Sequence, residues 1–182
     1  CGICNGDGIA EGACDCDGNV EDCTGVCGGD DSSCSLYDID GNFYTFVDIG
    51  SQRWMAENLK VTHYNDGSEI QYVQSESSEP NVWNTLNTGA YGYYNDDQDH
   101  LDTYGNLYNW YVVDDDRGVC PTGWHVPSDA EYTVLIDYLG GESVAGGKMK
   151  EAGTEHWNSP NTGATNESGF NGLGGGTKGG LS

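Results

Sequence analysis

Between Tyr37 and Leu59 the chain is dense in aromatic and β-branched residues, above all in Asn42-Phe43-Tyr44-Thr45-Phe46-Val47. Asp40-Gly41 before this run and Gly50-Ser51-Gln52 after it are turn signals. The segment therefore predicts a β region that turns back on itself, with Arg53-Trp54-Met55-Ala56 opening the return strand. Residues 74 to 102 lose the pattern in runs of Ser, Glu, Asn and Asp and predict a long surface loop. From Tyr104 to Val113 the spacing of Leu107, Trp110 and Tyr111 predicts a short buried helix. The strongest helix signal is Ser128 to Leu139. Ser128 and Glu131 form a capping-box pair, Tyr132, Leu135, Ile136 and Leu139 a core stripe, and Gly140-Gly141 a stop. Beyond it the chain is Gly- and Asn-rich, with a short helix expected around Lys148 to Ala152.

The apolar pattern is absent from the first 34 residues, which instead hold Cys1, Cys4, Cys14, Cys16, Cys23, Cys27 and Cys34. The other 148 residues hold only Cys120. Two regions follow: a cysteine-rich segment at 1–35 and a body at 36–182 that folds by ordinary burial. The head has too few large apolar residues for a core, so covalent or metal links must hold it. It contains no histidine, and its C-x2-C and C-x3-C pairs fit no common zinc module, so disulfides are the favoured reading. Seven is odd. One of these cysteines must pair with Cys120, with a cysteine outside this sequence, or with another chain. Gly2-Ile3-Cys4-Asn5-Gly6-Asp7 recurs as Gly25-Val26-Cys27-Gly28-Gly29-Asp30, a 23-residue period, which reads as the end of a repeat array in a longer precursor. Such cysteine density belongs outside the reducing cytosol, and the expected location is extracellular or at the cell surface.

Charge narrows the partners. The chain carries 30 acids against six bases, a net charge of −24. Nucleic acid is excluded, because phosphate binding needs clustered Lys and Arg. No apolar run is long enough to span a membrane. Divalent cations become plausible counter-ions, and calcium is the candidate cofactor. Asp15, Asp17, Asn19 and Asp22 place side-chain oxygens along an acidic loop, although its glycine falls at the fourth position and not the sixth, unlike an EF-hand. A tight Asp-Gly turn is the competing reading there, and turn chemistry fully accounts for Asp38, Asp40 and Asn42. Asp114-Asp115-Asp116, placed at a predicted helix end, need solvent, Arg117 or a cation.

Catalytic motifs are not found. His63, His100, His125 and His156 are isolated, no G-x-S-x-G elbow occurs, and the late glycines do not form a phosphate loop. No catalytic residue is assigned. The candidate ligand surface is Tyr91, Tyr93 and Tyr94 with Asp96, Asp97 and Asp99, in which rings would stack on sugars and acids would meet hydroxyls. Asn166-Glu167-Ser168 is a glycosylation sequon that places Asn166 on a loop.

Several spaced motifs belong together. They are Asp40-Gly41-Asn42-x-Tyr44, Ile49-Gly50-x-Gln52-x-Trp54-Met55-Ala56-Glu57-Asn58-Leu59, Tyr104-Gly105-x-Leu107-Tyr108-Asn109-Trp110 and Cys120-Pro121-x-Gly123-Trp124-His125-Val126-Pro127-Ser128-Asp129-x-Glu131. They resemble the Fibrobacter succinogenes major paralogous domain family over residues 37 to 176. The head is similar to Cys-Gly-Val-Cys-Gly-Gly-Asp repeats of large secreted bacterial proteins. The resemblance implies a C-type-lectin-like α+β body with short antiparallel strands and two helices, on a surface-exposed bacterial protein, with no established catalytic residues. It also implies further strands and a late cysteine beyond this sequence, so the body is expected to be C-terminally incomplete. Glu79-Pro80-Asn81 matches a calcium tripeptide of sugar-binding C-type lectins but precedes every predicted helix, so it is read as coincidence. The expected function is a non-catalytic structural or adhesive module, plausibly a fibre or surface-assembly subunit that associates with itself or with other surface proteins. The alternative is a calcium-assisted carbohydrate-binding module with glycan ligands.

Overall fold

The computed structural model describes residues 15, 17, 19, 27, 28, 36–74 and 82–178. The chain divides into two compact units, Cys1–Leu36 and Tyr37–Ser182. In the first unit, Asp15 accepts hydrogen bonds from the backbone N–H groups of Asp17 and Asn19 at 2.9 and 3.0 Å and from Asn19 Nδ2 at 2.7 Å.

The second unit is α+β. Strands β1 (Leu36–Tyr37) and β2 (Phe43–Tyr44) form a two-stranded ladder around the Asp40-Gly41 turn. Asp38, buried, builds that turn by accepting from the N–H groups of Asp40 and Asn42, from Asn42 Nδ2, and from the Tyr44 hydroxyl at 2.6 Å. Strands β3 (Phe46–Ile49) and β4 (Gln52–Met55) form an antiparallel hairpin with Ile49 opposite Gln52. Its two-residue loop needs Gly50, whose φ is +64°.

The third sheet has the order β5 (Gln71–Tyr72), β6 (Ala90–Tyr93), β7 (Asn106–Tyr108). Here the structure corrects the sequence reading in three ways. First, β5 and β6 pair in parallel, with Tyr72 opposite Tyr91, so not every strand pair is antiparallel. Second, the stretch expected to be a surface loop contains helix α1 (Val82–Thr85), the central strand β6, two single-turn 3₁₀ helices (Tyr94–Asp96 and Gln98–His100) and helix α2 (Leu101–Tyr104). Its apolar Ala90-Tyr91 core was masked by acidic neighbours. Third, residues 104–113 are not one helix. Gly105, at φ +65° and ψ −162°, ends α2, and the chain runs on as β7 before extended Asn109 leads into the short helix α3 (Trp110–Val113). The backbone region of Gly105 is essentially open to glycine alone. Trp110 and Tyr111 consequently face solvent, and Val112 is the residue α3 buries.

Helix α4 (Asp129–Tyr138) carries the predicted capping box. Ser128 Oγ accepts from Glu131 N, and the Glu131 carboxylate accepts from Ser128 N at 2.8 Å. Leu135 and Leu139 are buried, whereas Tyr132, expected in the same stripe, is 41% exposed and lies against the Trp54 ring. Helix α5 (Glu142–Met149) begins right after the Gly140-Gly141 stop, earlier than the short helix expected at 148–152.

Two apolar clusters hold the body. Val61, Tyr64, Ile70, Tyr91, Val112 and Val119 gather under the third sheet. Ile49, Trp54, Leu135, Leu139 and Ala145 gather between the β3–β4 hairpin and α4–α5. Arg117 closes the first cluster. Its guanidinium lies 3.7 Å over the Tyr64 ring and grips Asp115 with two hydrogen bonds, which answers the charge of the acidic run. No helix among the described residues is long and apolar enough to cross a membrane.

Candidate functional site

The motif residues that stand out in the sequence are consumed in joining one element to another. Asn58 Nδ2 donates to the Tyr104 carbonyl at 2.9 Å, and Asn106 N donates to the Leu59 carbonyl at 2.9 Å. Glu57 accepts from the Thr45 backbone and hydroxyl, both at 2.7 Å. Gln52 Nε2 reaches the Glu131 carbonyl at 3.0 Å. Asn109 accepts from Ala90 N and donates to the Thr88 carbonyl. Each bond spans a gap between segments separated in sequence, so these residues act as struts.

One constellation has the composition of a relay but not its geometry. Thr62 Oγ1 and Asp40 Oδ1 both meet the same ring nitrogen of His63, at 3.2 and 2.5 Å, and Thr62 Oγ1 donates to Asp40 Oδ2. A hydroxyl–imidazole–carboxylate relay needs hydroxyl and carboxylate on opposite nitrogens. Asp40 instead anchors the turn to the following segment. Burial pushes its carboxyl up, but the Thr62 backbone and hydroxyl donors and His63 outweigh this and hold it below the usual carboxylate range. His125, 2.7 Å from Glu131, sits at the exposed start of α4 as a partner of the capping box. The Ser128 donors, backbone first, and His125 bring the Glu131 carboxyl down to about 2.

The residues expected to bind ligand do not converge on one surface. Tyr91 is a core side chain, and Tyr93 packs edge-on to it at 5.9 Å. Tyr91 belongs inside because its strand is central and paired on both sides. Asp96 is ion-paired with Lys178, whose side chain is 5% exposed. Asp97 accepts from Asp99 N and so caps the second 3₁₀ turn, leaving Asp99 exposed. In the expected calcium loop the Asp15 carboxylate accepts hydrogen bonds from Asp17 and Asn19, while Asp22 lies outside the described residues. Cys1, Cys4, Cys14, Cys16, Cys23 and Cys34, and the Glu79-Pro80-Asn81 tripeptide, also lie outside them. Cys27 is disulfide-bonded. Cys120, one of the three partners left open above for the odd head cysteine and expected to be disulfide-bonded, is a free thiol. Sequence alone leaves it no partner within the body, and burial raises the thiol's pKa. Asn166, the sequon residue, sits at φ +51°, and its Nδ2 donates to Asn171 Oδ1. The nitrogen a glycan would take is thus part of a turn.

Of the candidate surface, Tyr94 lines a cleft among the described residues. This cavity, of about 650 Å³, is walled on one side by Tyr94 and Tyr104 and on the other by Thr154 to Asn158, with Gly174, Gly175 and Gly176 along its floor. Tyr94 and Tyr104 stack at 4.4 Å with a 33° tilt, and His156 stands edge-on to Tyr104 at 5.8 Å. Trp157 is fixed by its indole N–H on the Gly172 carbonyl and by Lys150, 4.0 Å from the ring. Glycine is required at 174, where a Cβ would fall 2.8 Å from the His156 carbonyl. His156 Nδ1 meets Glu151 Oε1 at 2.8 Å, and Glu155 reaches the same place, so donor atoms of all three residues lie within 4.8 Å of one another. The sequence reading treated His156 as isolated. The Glu-x3-Glu-His spacing at 151–156 is the available signal, but it lies in a Gly-containing stretch outside any helix and matches no known motif.

No curated protein and no solved structure matches the chain. A family of domains does, over residues 47–182, and this span takes in the struts, the capping box and the whole cleft. The chain therefore belongs to the Fibrobacter succinogenes major domain family.

Proposed function

We propose that the body is a non-catalytic extracellular adhesive module whose ligand face is the cleft between Tyr94–Tyr104 and Thr154–Asn158. The observation that carries this reading is a cleft with fixed aromatic walls and a polar rim. Tyr94, Tyr104 and Trp157 supply rigid flat faces, while Thr154, Glu155 and Asn158 supply donors and acceptors at its edge. Flat rings that meet apolar C–H faces, with hydroxyl partners beside them, suit a saccharide. Its volume is in the range of small-molecule sites. Among the described residues, the hydroxyl–imidazole–carboxylate cluster at Thr62, His63 and Asp40 lacks the connectivity of a relay.

A glycan array probed with and without chelator tests this reading, followed by calorimetry on Tyr94→Ala and Asn158→Ala. Binding that both substitutions abolish would support it, and chelator sensitivity would favour the calcium-assisted form. Absence of binding under either condition sinks the carbohydrate reading.

Self-association into a fibre or surface assembly is the second reading. Helix α3 favours it, because Trp110 is 66% exposed and Tyr111 45% exposed, side by side. Negative-stain microscopy at high protein concentration decides it: dispersed monomers alone would count against a fibre.

A further inference from the structure

All four histidines meet a carboxylate: His63 with Asp40, His100 with Asp97, His125 with Glu131 and His156 with Glu151. Among the described residues, only His156 belongs to a set of three or more metal-type donors that converge. We propose that Glu151, Glu155 and His156 form a binding site for a divalent transition metal of the zinc class, open to the cleft.

The argument is one of donor type and exposure. An imidazole with two carboxylates is a mixed nitrogen–oxygen set. It suits zinc, manganese or nickel better than calcium, which takes oxygen ligands alone. This site is therefore distinct from the calcium loop expected in the head. Glu151 and His156 are preorganised, with side chains 14% and 24% exposed and joined by a hydrogen bond. The Glu151 carboxylate also accepts from His156 N at 3.3 Å, so carboxylate and ring are held from two directions. Glu155 is solvent-exposed, and no hydrogen bond or ion pair ties it to another described residue. It can swing onto an ion at little cost.

A second observation comes from the adjoining turn. Asn161 Nδ2 donates to the Glu151 and Gly153 carbonyls at 2.9 and 2.7 Å, and thereby fixes the backbone that carries Glu151. Its Oδ1 is buried with no hydrogen-bond partner. The turn that carries Glu151 thus holds a buried acceptor with no donor among the described residues. Three protein ligands would leave coordination positions facing the cleft.

Zinc titration by calorimetry of the oxidised full chain, dialysed against chelator, tests the proposal without any sugar, so its outcome is separable from the carbohydrate reading. One site per chain is expected, weakened at least about tenfold in Glu155→Gln, a loss comparable to that of even a group outside the ligand set. Glu155→Gln leaves the Glu151–His156 bond intact and is expected to melt like the wild type. His156→Ala should abolish the site, with circular dichroism checking its fold. His125→Ala should bind as the wild type does. Absence of zinc binding in the wild type, or undiminished binding in Glu155→Gln, overturns the proposal. Zinc binding lost equally in His125→Ala would show diffuse surface binding and overturn it as well.

Discussion

Asp15 and Asp38, 23 residues apart, hold their turns with the same three hydrogen bonds. Each accepts on one carboxylate oxygen from the backbone N–H groups two and four residues later, and on the other from the Asn carboxamide at the fourth position. Both segments read Asp-x-Asp-Gly-Asn. The 23-residue period visible in the cysteines therefore runs on into the first turn of the body, where side-chain capping carries it without any sulfur.

In the body copy this turn is wired into the core. Tyr44 donates its hydroxyl proton to Asp38 and accepts from Lys60 N at 2.8 Å, and both side chains are buried. Asp38→Ala leaves the Tyr44 hydroxyl and the turn amides without a partner, and should destabilise the body by about 3 kcal/mol. Tyr44→Phe spares the turn and strands one amide, at about 1–2 kcal/mol. Urea unfolding monitored by tryptophan fluorescence would rank them, and equal costs would contradict the wiring described.

The Asp40 carboxyl gives the pH dependence its sign. Its folded pKa is below the unfolded value of 3.8, so its stabilisation is fully present above pH 4 and is lost as pH falls through the folded pKa. Asp40→Asn is expected to be less stable than the wild type at pH 7 and to approach it in stability by about pH 2–3. Urea midpoints at pH 7, 4 and 3 check this. A stability gap that stays constant across the range would rule the carboxylate out as its source.

Two glycines separate backbone strain from steric collision. Gly41 has φ +81° and open space around it, so Gly41→Ala should cost about 1–2 kcal/mol. Gly105 has φ +65°, and a Cβ there would lie 2.7 Å from both Asn58 Cβ and the Leu59 carbonyl. Gly105→Ala should therefore cost about 3 kcal/mol or more and loosen the strut between the two motifs. Thermal melts of the pair provide the comparison.

What could be read from the sequence was local. Asp40-Gly41, Gly50-Ser51 and the Ser128–Glu131 box each specify geometry within four residues, and each is found where the pattern placed it. What could not be read depended on distant partners. Tyr91 is buried because β5 and β7 flank its strand, and nothing in the acidic residues after it announces that. Trp110 fits a helical stripe with Leu107, yet Leu107 lies in β7 and Trp110 in α3, so no single stripe forms. The cleft joins Tyr94 and Tyr104 to residues fifty or more positions later, and of its lining the sequence reading assigns only Tyr94 to ligand binding.

Cys120 should behave as a protected thiol. Burial raises its pKa, which lowers the thiolate fraction, and thiolate is the reactive form. Alkylation of the Cys120 peptide, followed by mass spectrometry, is expected to be slow in the native protein and fast in urea. Rapid native labelling would show that the site opens.

The body's apolar interior lies in two parcels, one beneath the third sheet and one between the hairpin and the long helices. Separate parcels can open separately, so amide exchange should resolve two free energies of opening and not one. The cleft walls divide along the same line: Tyr94 and Tyr104 flank the third sheet, while Trp157 hangs from the segment that returns along the end of α5. A molecule seated there would draw on both parcels at once, and its binding would register as a merging of the two openings into a single cooperative event.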